Sequence, residues 1–479
     1  MKIPLICSLL SGALLAGTGS VAAQDSGQIE QLQRQIQRLQ EDFEKQQALQ
    51  RQQIEALKQQ IEHLQHAPTT NVVATAAPPE SAAVPAIIPS KGVSLAEPIR
   101  VAGGGKTYLN LSLDGLFAAG TSTANDIERL QPGGHDPTQR GFTLQNLEAT
   151  FDGAVDPYFR GQANLVFQID SAGESHVEVE EAYLTTVSLP ANLQVKAGQF
   201  FTEFGRLNPS HPHTWSFVDQ PLVNSRFFGP DGLRNPGARI SWLIPTPFYS
   251  ELFLTMQDSQ GATAYSFRDD HGGDLLFGRP SRMGRTASLG DMLFAPRYVS
   301  SFDLTDTQTL MLGASGAFGA NGSGSDARTE GYGVDLFWKW KPASQNGGFP
   351  FVSWQSEGMV RRFKAGAYDG LLDPANPTPA LPGETLLDYG FYSQLGWGFH
   401  KGWVAGLRGD YVTGDRAAFY PDPDRDSRWR VSPNLTWFPT EFSKIRLQYN
   451  YDDRLNIGVD HSVWLQFEFL MGAHAAHKF

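Results

Sequence analysis

The sequence predicts an all-β transmembrane fold: a sixteen-stranded antiparallel β-barrel preceded by an N-terminal coiled-coil helix and a Pro/Ala linker. Three observations carry that expectation. From Ile99 onward apolar and polar residues alternate with a period of two, as in strands with one apolar face. The connections between those segments alternate between long and short. The 479-residue chain is only 18% charged, yet it carries 49 Gly, 10 Trp, 14 Tyr and 31 Phe, which suits many turns and an aromatic-rich sheet.

Lys2, the apolar stretch Ile3 to Gly17 and the small-residue run Val21-Ala22-Ala23 form the three parts of an export signal, residues 1–23. Cys7 is the one cysteine and lies inside that segment. The exported chain then has no thiol, which excludes disulfides, cysteine metal sites and thiol catalysis. No later stretch reaches the ~18 apolar residues that a spanning helix needs. A formal net charge of −12 argues against a general nucleic-acid binder, which needs a positive surface.

Residues 24–66 are rich in Gln, Glu, Arg and Lys. Ile29, Leu32, Ile36, Leu39 and Phe43 keep coiled-coil spacing, which resumes after a stutter at Ile54, Leu57, Ile61 and Leu64. This predicts a periplasmic oligomerisation helix, against the plainer reading of a solvated helix with a weak stripe. Residues 67–98 set Pro68, Pro78, Pro79, Pro85, Pro89 and Pro98 among Ala, Ser, Thr and Val, a composition that buries no core and predicts a disordered linker.

The remaining residues, 99–479, form the barrel domain. Strands are expected near 105–119, 140–153, 157–170, 176–189, 192–201, 237–245, 248–257, 292–303, 307–319, 328–341, 349–363, 387–400, 402–413, 427–438, 444–453 and 461–479. The links that follow odd-numbered strands are medium or long, as at 120–139, 202–236 and 258–291, while those after even-numbered strands are mostly short. A soluble sandwich has no reason to alternate in this way. A transmembrane barrel keeps short turns on one side and long loops on the other. Phe479 ends the chain in phase with Val463, Leu465, Phe467 and Phe469, which fits a signal read by the outer-membrane barrel assembly machinery.

In hydrocarbon a sheet can span only if it closes, leaving one face to lipid and one to the lumen. Trp242, Trp338, Trp340, Trp397, Trp403, Trp429 and Trp437 fall on the apolar phase, as interface girdles would. The opposite phase carries Asn110, Ser112, Asp114, Glu148, Thr150, Asp152, Glu178 and Glu180 early, and Arg408, Arg428, Arg430, Lys444 and Arg446 late. So many charges are costly to bury dry, so water is expected on that face. Sixteen strands leave room for a channel. Acids on strands one to four and bases on strands thirteen to fifteen predict a transverse field.

The segment Lys196-Ala197-Gly198-Gln199-Phe200-Phe201-Thr202-Glu203-Phe204-Gly205, with the signal, coiled coil and linker, resembles the phosphate-selective porin O and P family of Gram-negative bacteria. Asn208-Pro209-Ser210-His211-Pro212-His213 and Phe228-Gly229-Pro230-Asp231-Gly232 resemble a branch labelled zinc-regulated outer-membrane porin. The resemblance implies a sixteen-stranded, homotrimeric outer-membrane barrel with its coiled coil in the periplasm. The family's arginine ladder is balanced here by comparable numbers of acids, so phosphate selectivity is not carried over.

The third long link is expected to fold inward and narrow the pore, presenting Glu203, Arg206, His211, His213, Asp219, Arg226, Asp231 and Arg234. The competing reading caps the rim or contacts a neighbouring subunit. His211 and His213 are the candidates for metal ligands, but two imidazoles fall short of the four ligands zinc takes, so no metal site is assigned. His474 and His477 fall on opposite strand faces. No cofactor and no catalytic set is found. The expected function is passive diffusion of ions and small hydrophilic solutes through a water-filled channel. The expected partners are outer-membrane lipid and further copies of the chain. The alternative is a structural or adhesive outer-membrane protein with coiled-coil envelope contacts and no significant conductance.

Overall fold

A computed structural model describes residues 99–104, 107–154, 156–169, 173–269, 271–370, 380–415 and 418–472. The expected export signal, coiled coil and linker, Phe479, His474 and His477 lie outside the described residues.

The alternating segments form one antiparallel sheet. Its strands are β1 (Thr107–Ser122), β2 (Gly141–Ala154), β3 (Phe159–Ile169), β4 (Ser175–Thr186), β5 (Leu193–Phe201), β6 (Arg234–Leu243), β7 (Tyr249–Asp258) and β8 (Met292–Thr305). They continue as β9 (Gln308–Ala320), β10 (Arg328–Trp340), β11 (Phe351–Ala365), β12 (Glu384–His400), β13 (Trp403–Gly414), β14 (Arg428–Thr440), β15 (Ser443–Arg454) and β16 (Gly458–Met471). Each pairs with its neighbours in sequence, and β16 returns to β1 with Phe467 opposite Phe117. The sheet is therefore a closed barrel of sixteen strands, and it has no free edge. A short strand, Ile99–Gly104, pairs with the start of β1.

The pleat sorts the side chains as the alternation requires. Val334, Phe391, Leu395, Trp397, Leu407 and Leu447 project outward and are exposed. Trp242, Trp429 and Trp437 share that outer face, while Trp338, Trp340 and Trp403 are half-buried there. Asp114, Glu148, Asp335, Arg408, Arg430 and Lys444 point inward and are buried. No described helix is long and apolar enough to cross a membrane.

Two bulges break the period. Opposite β3, Asn164 pairs with Glu181 and Leu165 with Val179, so Glu180 is the extra residue and both glutamates turn inward. Between β1 and β2, Leu116 pairs with Asn146 and Phe117 with Leu144, which buries Gln145 and Asn146 together.

The long loops fill the barrel at one end. The first holds helix α1 (Ile127–Leu130), whose Ile127 and Leu130 pack with Val218 and Trp464. The third, residues 202–233, holds helix α2 (Leu222–Phe228). Leu222, Val223, Phe227 and Phe228 of α2 form an apolar cluster inside the barrel with Phe204, Met359, Tyr392 and Val412. Burial of such side chains is worth roughly 1.5–3 kcal/mol each, which fixes the loop inside.

Candidate functional site

The site is built by the 202–233 loop against the inner wall. Gly205 turns the chain inward with φ of +60°, a backbone region that favours glycine, and any Cβ there would collide with Glu357 Oε2. Gly205 N–H donates to Ser315 Oγ at 3.0 Å and Leu207 N–H to Glu357 Oε1 at 2.8 Å. Asn208 then closes the loop's neck. Its Nδ2 donates to the carbonyls of Thr202 and Leu233 at 2.8 and 3.0 Å, and its Oδ1 accepts from Leu233 N–H at 2.9 Å.

Across the lumen the loop meets the basic wall. Asp219 Oδ1 lies 2.6 Å from Arg408 Nη2 and Oδ2 lies 2.8 Å from Arg430 Nη1. Gln448 and Asn450 also donate to this carboxylate, at 2.9 and 2.7 Å. Arg408 turns its Nε to Asp410 at 2.7 Å, and Arg428 and Arg430 share Asp452. Lys444 pairs with Glu468 and donates to the His213 carbonyl at 2.8 Å, while Arg446 donates to the Trp215 carbonyl at 3.0 Å. Burial alone would raise the Asp219 carboxyl, but the Arg408 and Arg430 guanidinium groups outweigh it and hold it well below the usual carboxylate range.

Toward β1, β2 and β4 the same loop turns histidines to the acidic wall. His211 Nδ1 lies 2.8 Å from Glu180 Oε2 and 3.3 Å from Glu148 Oε2, and its Nε2 lies 3.0 Å from Glu181 Oε2. His213 Nδ1 lies 2.9 Å from Asp114 Oδ2 and 3.4 Å from Glu148 Oε2. Burial disfavours charge on both rings, yet the surrounding carboxylates outweigh it. His213 is pushed up to about 10 by Asp114 and Glu148, and His211 is raised well above the usual imidazole value by Glu148 and Glu180.

The loop therefore carries acid to the basic wall and imidazole to the acidic wall. This corrects two expectations. The separated wall charges do not leave a bare transverse field, because the loop supplies counter-charges on both sides. Nor does open water cover the middle of this face: Asp219, Arg408 and Arg430 are at most 1% exposed. Mutual pairing, rather than solvent, offsets their desolvation. Open space lies on either side of this layer. A cavity of about 530 Å³ at the long-loop end is lined by Arg226, Tyr265, Phe277, Arg361 and Arg425. A second, of about 450 Å³, reaches His213, Trp215, Phe337, Lys444 and Arg446.

The other expected site residues separate. Glu203 pairs with Arg239, and the Arg206 guanidinium lies 4.0 Å from the centre of the Phe337 ring. Arg226 donates to the carbonyls of Arg425 and Asp426 at 3.3 and 3.2 Å, at the upper cavity. Asp231 sits beside Gly134 of the first loop. Arg234 is the first residue of β6 rather than a loop residue, and it pairs with Glu178 and with Glu180. Glu178 is half-exposed, unlike the buried Glu148 and Glu180. Sequence reasoning missed Glu181, Glu357 and Asp452. The adjacent Glu180-Glu181 pair was the available signal, since strict alternation would put one of two neighbouring acids on the apolar outer face.

An uncharacterized protein of Aquifex aeolicus (strain VF5) is 30% identical over 405 residues, covering 78% of this chain and 79% of that protein. No protein-family model matches the chain. Among solved structures it is similar to the outer membrane channel DcaP of Acinetobacter baumannii, at 13% identity over 77% of this chain and 99% of that one, with a TM-score of 0.49. Salmonella typhi OmpF is similar at 9% identity over 76% and 98%, with a TM-score of 0.46. Pseudomonas putida OprB is similar at 10% identity over 76% and 94%, with a TM-score of 0.44.

Proposed function

We propose that this chain, which belongs to the same family as the uncharacterized Aquifex aeolicus protein, is a porin-type channel of an outer membrane. Ions and small hydrophilic solutes would diffuse through it passively, past a constriction set by residues 202–233. The observation that carries this reading is the loop's fixation to both sides of the lumen, by Asp219 to Arg408 and Arg430 and by His211 to Glu180, with cavities on either side. The exposed belt of Val334, Leu395, Trp397 and Leu447 supports a lipid surround, because it would be costly against water.

Phosphate selectivity stays outside the proposal, since Arg408, Arg428, Arg430 and Lys444 are each paired with a carboxylate. The export signal at 1–23, the periplasmic coiled coil at 24–66, the linker at 67–98, homotrimer formation and recognition of Phe479 by the assembly machinery belong to the same proposal. A second reading is favoured by the density of the central layer, where charged side chains are packed almost dry. It is a structural outer-membrane protein without significant conductance. Planar-bilayer recording of the full chain decides between them. Discrete steps grouped in threes support a trimeric channel, and silence from a folded barrel moves the weight to the structural reading.

A further inference from the structure

We propose that the junction between the 202–233 loop and the acidic wall is a binding site for a divalent first-row transition-metal ion, with zinc the probe of choice. Its protein ligands would be His211, Glu148 and Glu180, leaving a position for water, and His213 and Asp114 lie beside them. The ligand atoms of Glu148, Glu180 and His211 lie within 4.8 Å of one another, and both glutamates are buried. His211 Nδ1, His213 Nδ1, Glu180 Oε2 and both oxygens of Asp114 have no aligned hydrogen-bond partner, although all are buried. The imidazole nitrogens and carboxylate oxygens stand 2.8–3.4 Å apart. Ligands bound tetrahedrally to one ion at about 2.1 Å each stand at separations of about 3.4 Å, at the upper end of this range.

The surroundings orient these groups as the outer partners of a metal site do. His211 Nε2 donates to Glu181 Oε2 at 3.0 Å, which leaves Nδ1 as the coordinating atom. Glu181 is itself fixed, because its Oε1 accepts from Phe201 N–H at 3.0 Å. Glu148 Oε1 is taken up by Thr150 and Asn164, so Oε2 is the oxygen turned to the histidines. Imidazole with carboxylates and no thiolate suits zinc and its neighbours better than magnesium, calcium or copper(I). Four carboxylates face two imidazoles here, so a dication balances charge that two protons would balance as well.

The inference stands apart from the channel reading, because its test reads metal rather than current. The folded full chain in detergent is stripped with a chelator, exposed to zinc and passed through gel filtration. The wild type is expected to retain a single zinc ion per chain. His211→Ala and Glu180→Gln should bind at least tenfold more weakly, and Glu181→Gln about tenfold more weakly. Retention of the compact mobility of the unheated protein on gels shows that a variant is folded. Should the variants not fold, zinc X-ray absorption of the wild type decides, and imidazole and oxygen scattering is expected. A wild type that retains no zinc, folded variants with unchanged affinity, or a spectrum without imidazole would each overturn the site. The first of these outcomes would identify a cluster held by protons alone.

Discussion

Asp219, at the turn of the inward loop, lies 2.8 Å from Arg430 of β14, and both side chains are buried. Arg408 of β13 holds the other oxygen of the same carboxylate at 2.6 Å. One loop carboxylate thus bridges two wall cations that Asp410 and Asp452 also hold, and it fixes how far the loop reaches across the lumen.

Replacing Asp219 with Ala should release this anchor. Arg408 and Arg430 keep Asp410 and Asp452, but each loses a buried partner. The expected cost is about 3 kcal/mol, from charge left uncompensated in a buried site. Thermal melting in detergent should show it as a lower transition, accompanied by larger or noisier conductance. An unchanged melt would refute the anchor.

Acid should act on the same residue late. The folded Asp219 carboxyl is held below its unfolded value of about 3.9, so its stabilisation is present above that pH and is lost as pH falls toward the folded value. Wild-type conductance recorded stepwise from neutral pH downward should keep this contribution constant to about pH 4–5 and change only below it. The D219N variant should lack that low-pH change. A wild-type transition near neutrality that D219N abolishes would contradict the assignment.

Gly205→Ala should disturb the entry of the loop. The residue has positive φ and faces the Glu357 carboxylate, so a methyl group meets both backbone strain and a collision. A loss of more than about 1 kcal/mol is expected. The compact gel band should melt at lower temperature than in the wild type; equal melting would show that the turn tolerates a side chain.

Val334→Arg tests the outer belt. Val334 lies mid-way along β10 and is 64% exposed. Facing lipid, a charge there costs about 2–4 kcal/mol, whereas facing water it costs little. Folding yield into lipid vesicles should fall sharply, and an undiminished yield would argue against a membrane-facing belt.

The barrel was legible because the period of two survives along nearly every strand. The expected segment 328–341 and the observed β10, Arg328–Trp340, differ by a residue, and Tyr332, Val334 and Leu336 lie on the expected face. It failed where the period failed. The bulge at Glu180 turned Glu181 inward, a position that strict alternation assigns to the outside. The inward course of the third loop was legible from Phe217, Phe227 and Phe228, which a solvated loop would not carry. The pairing of Asp219 with Arg408 spans 189 positions and depends on loop geometry that no local pattern encodes. For the same reason two histidines read alone were too few for a metal, and only the folded wall adds the carboxylates beside them.

Residues 202–233 are proposed to fill the lumen and set its narrowest point. Single-channel conductance of the full chain, compared with a variant lacking residues 208–232, tests this most directly. A small, steady conductance is expected for the wild type and a several-fold larger one for the shortened loop, with the folded barrel retained. Equal conductances from two folded proteins would place the narrow point elsewhere and rule out the loop as the constriction.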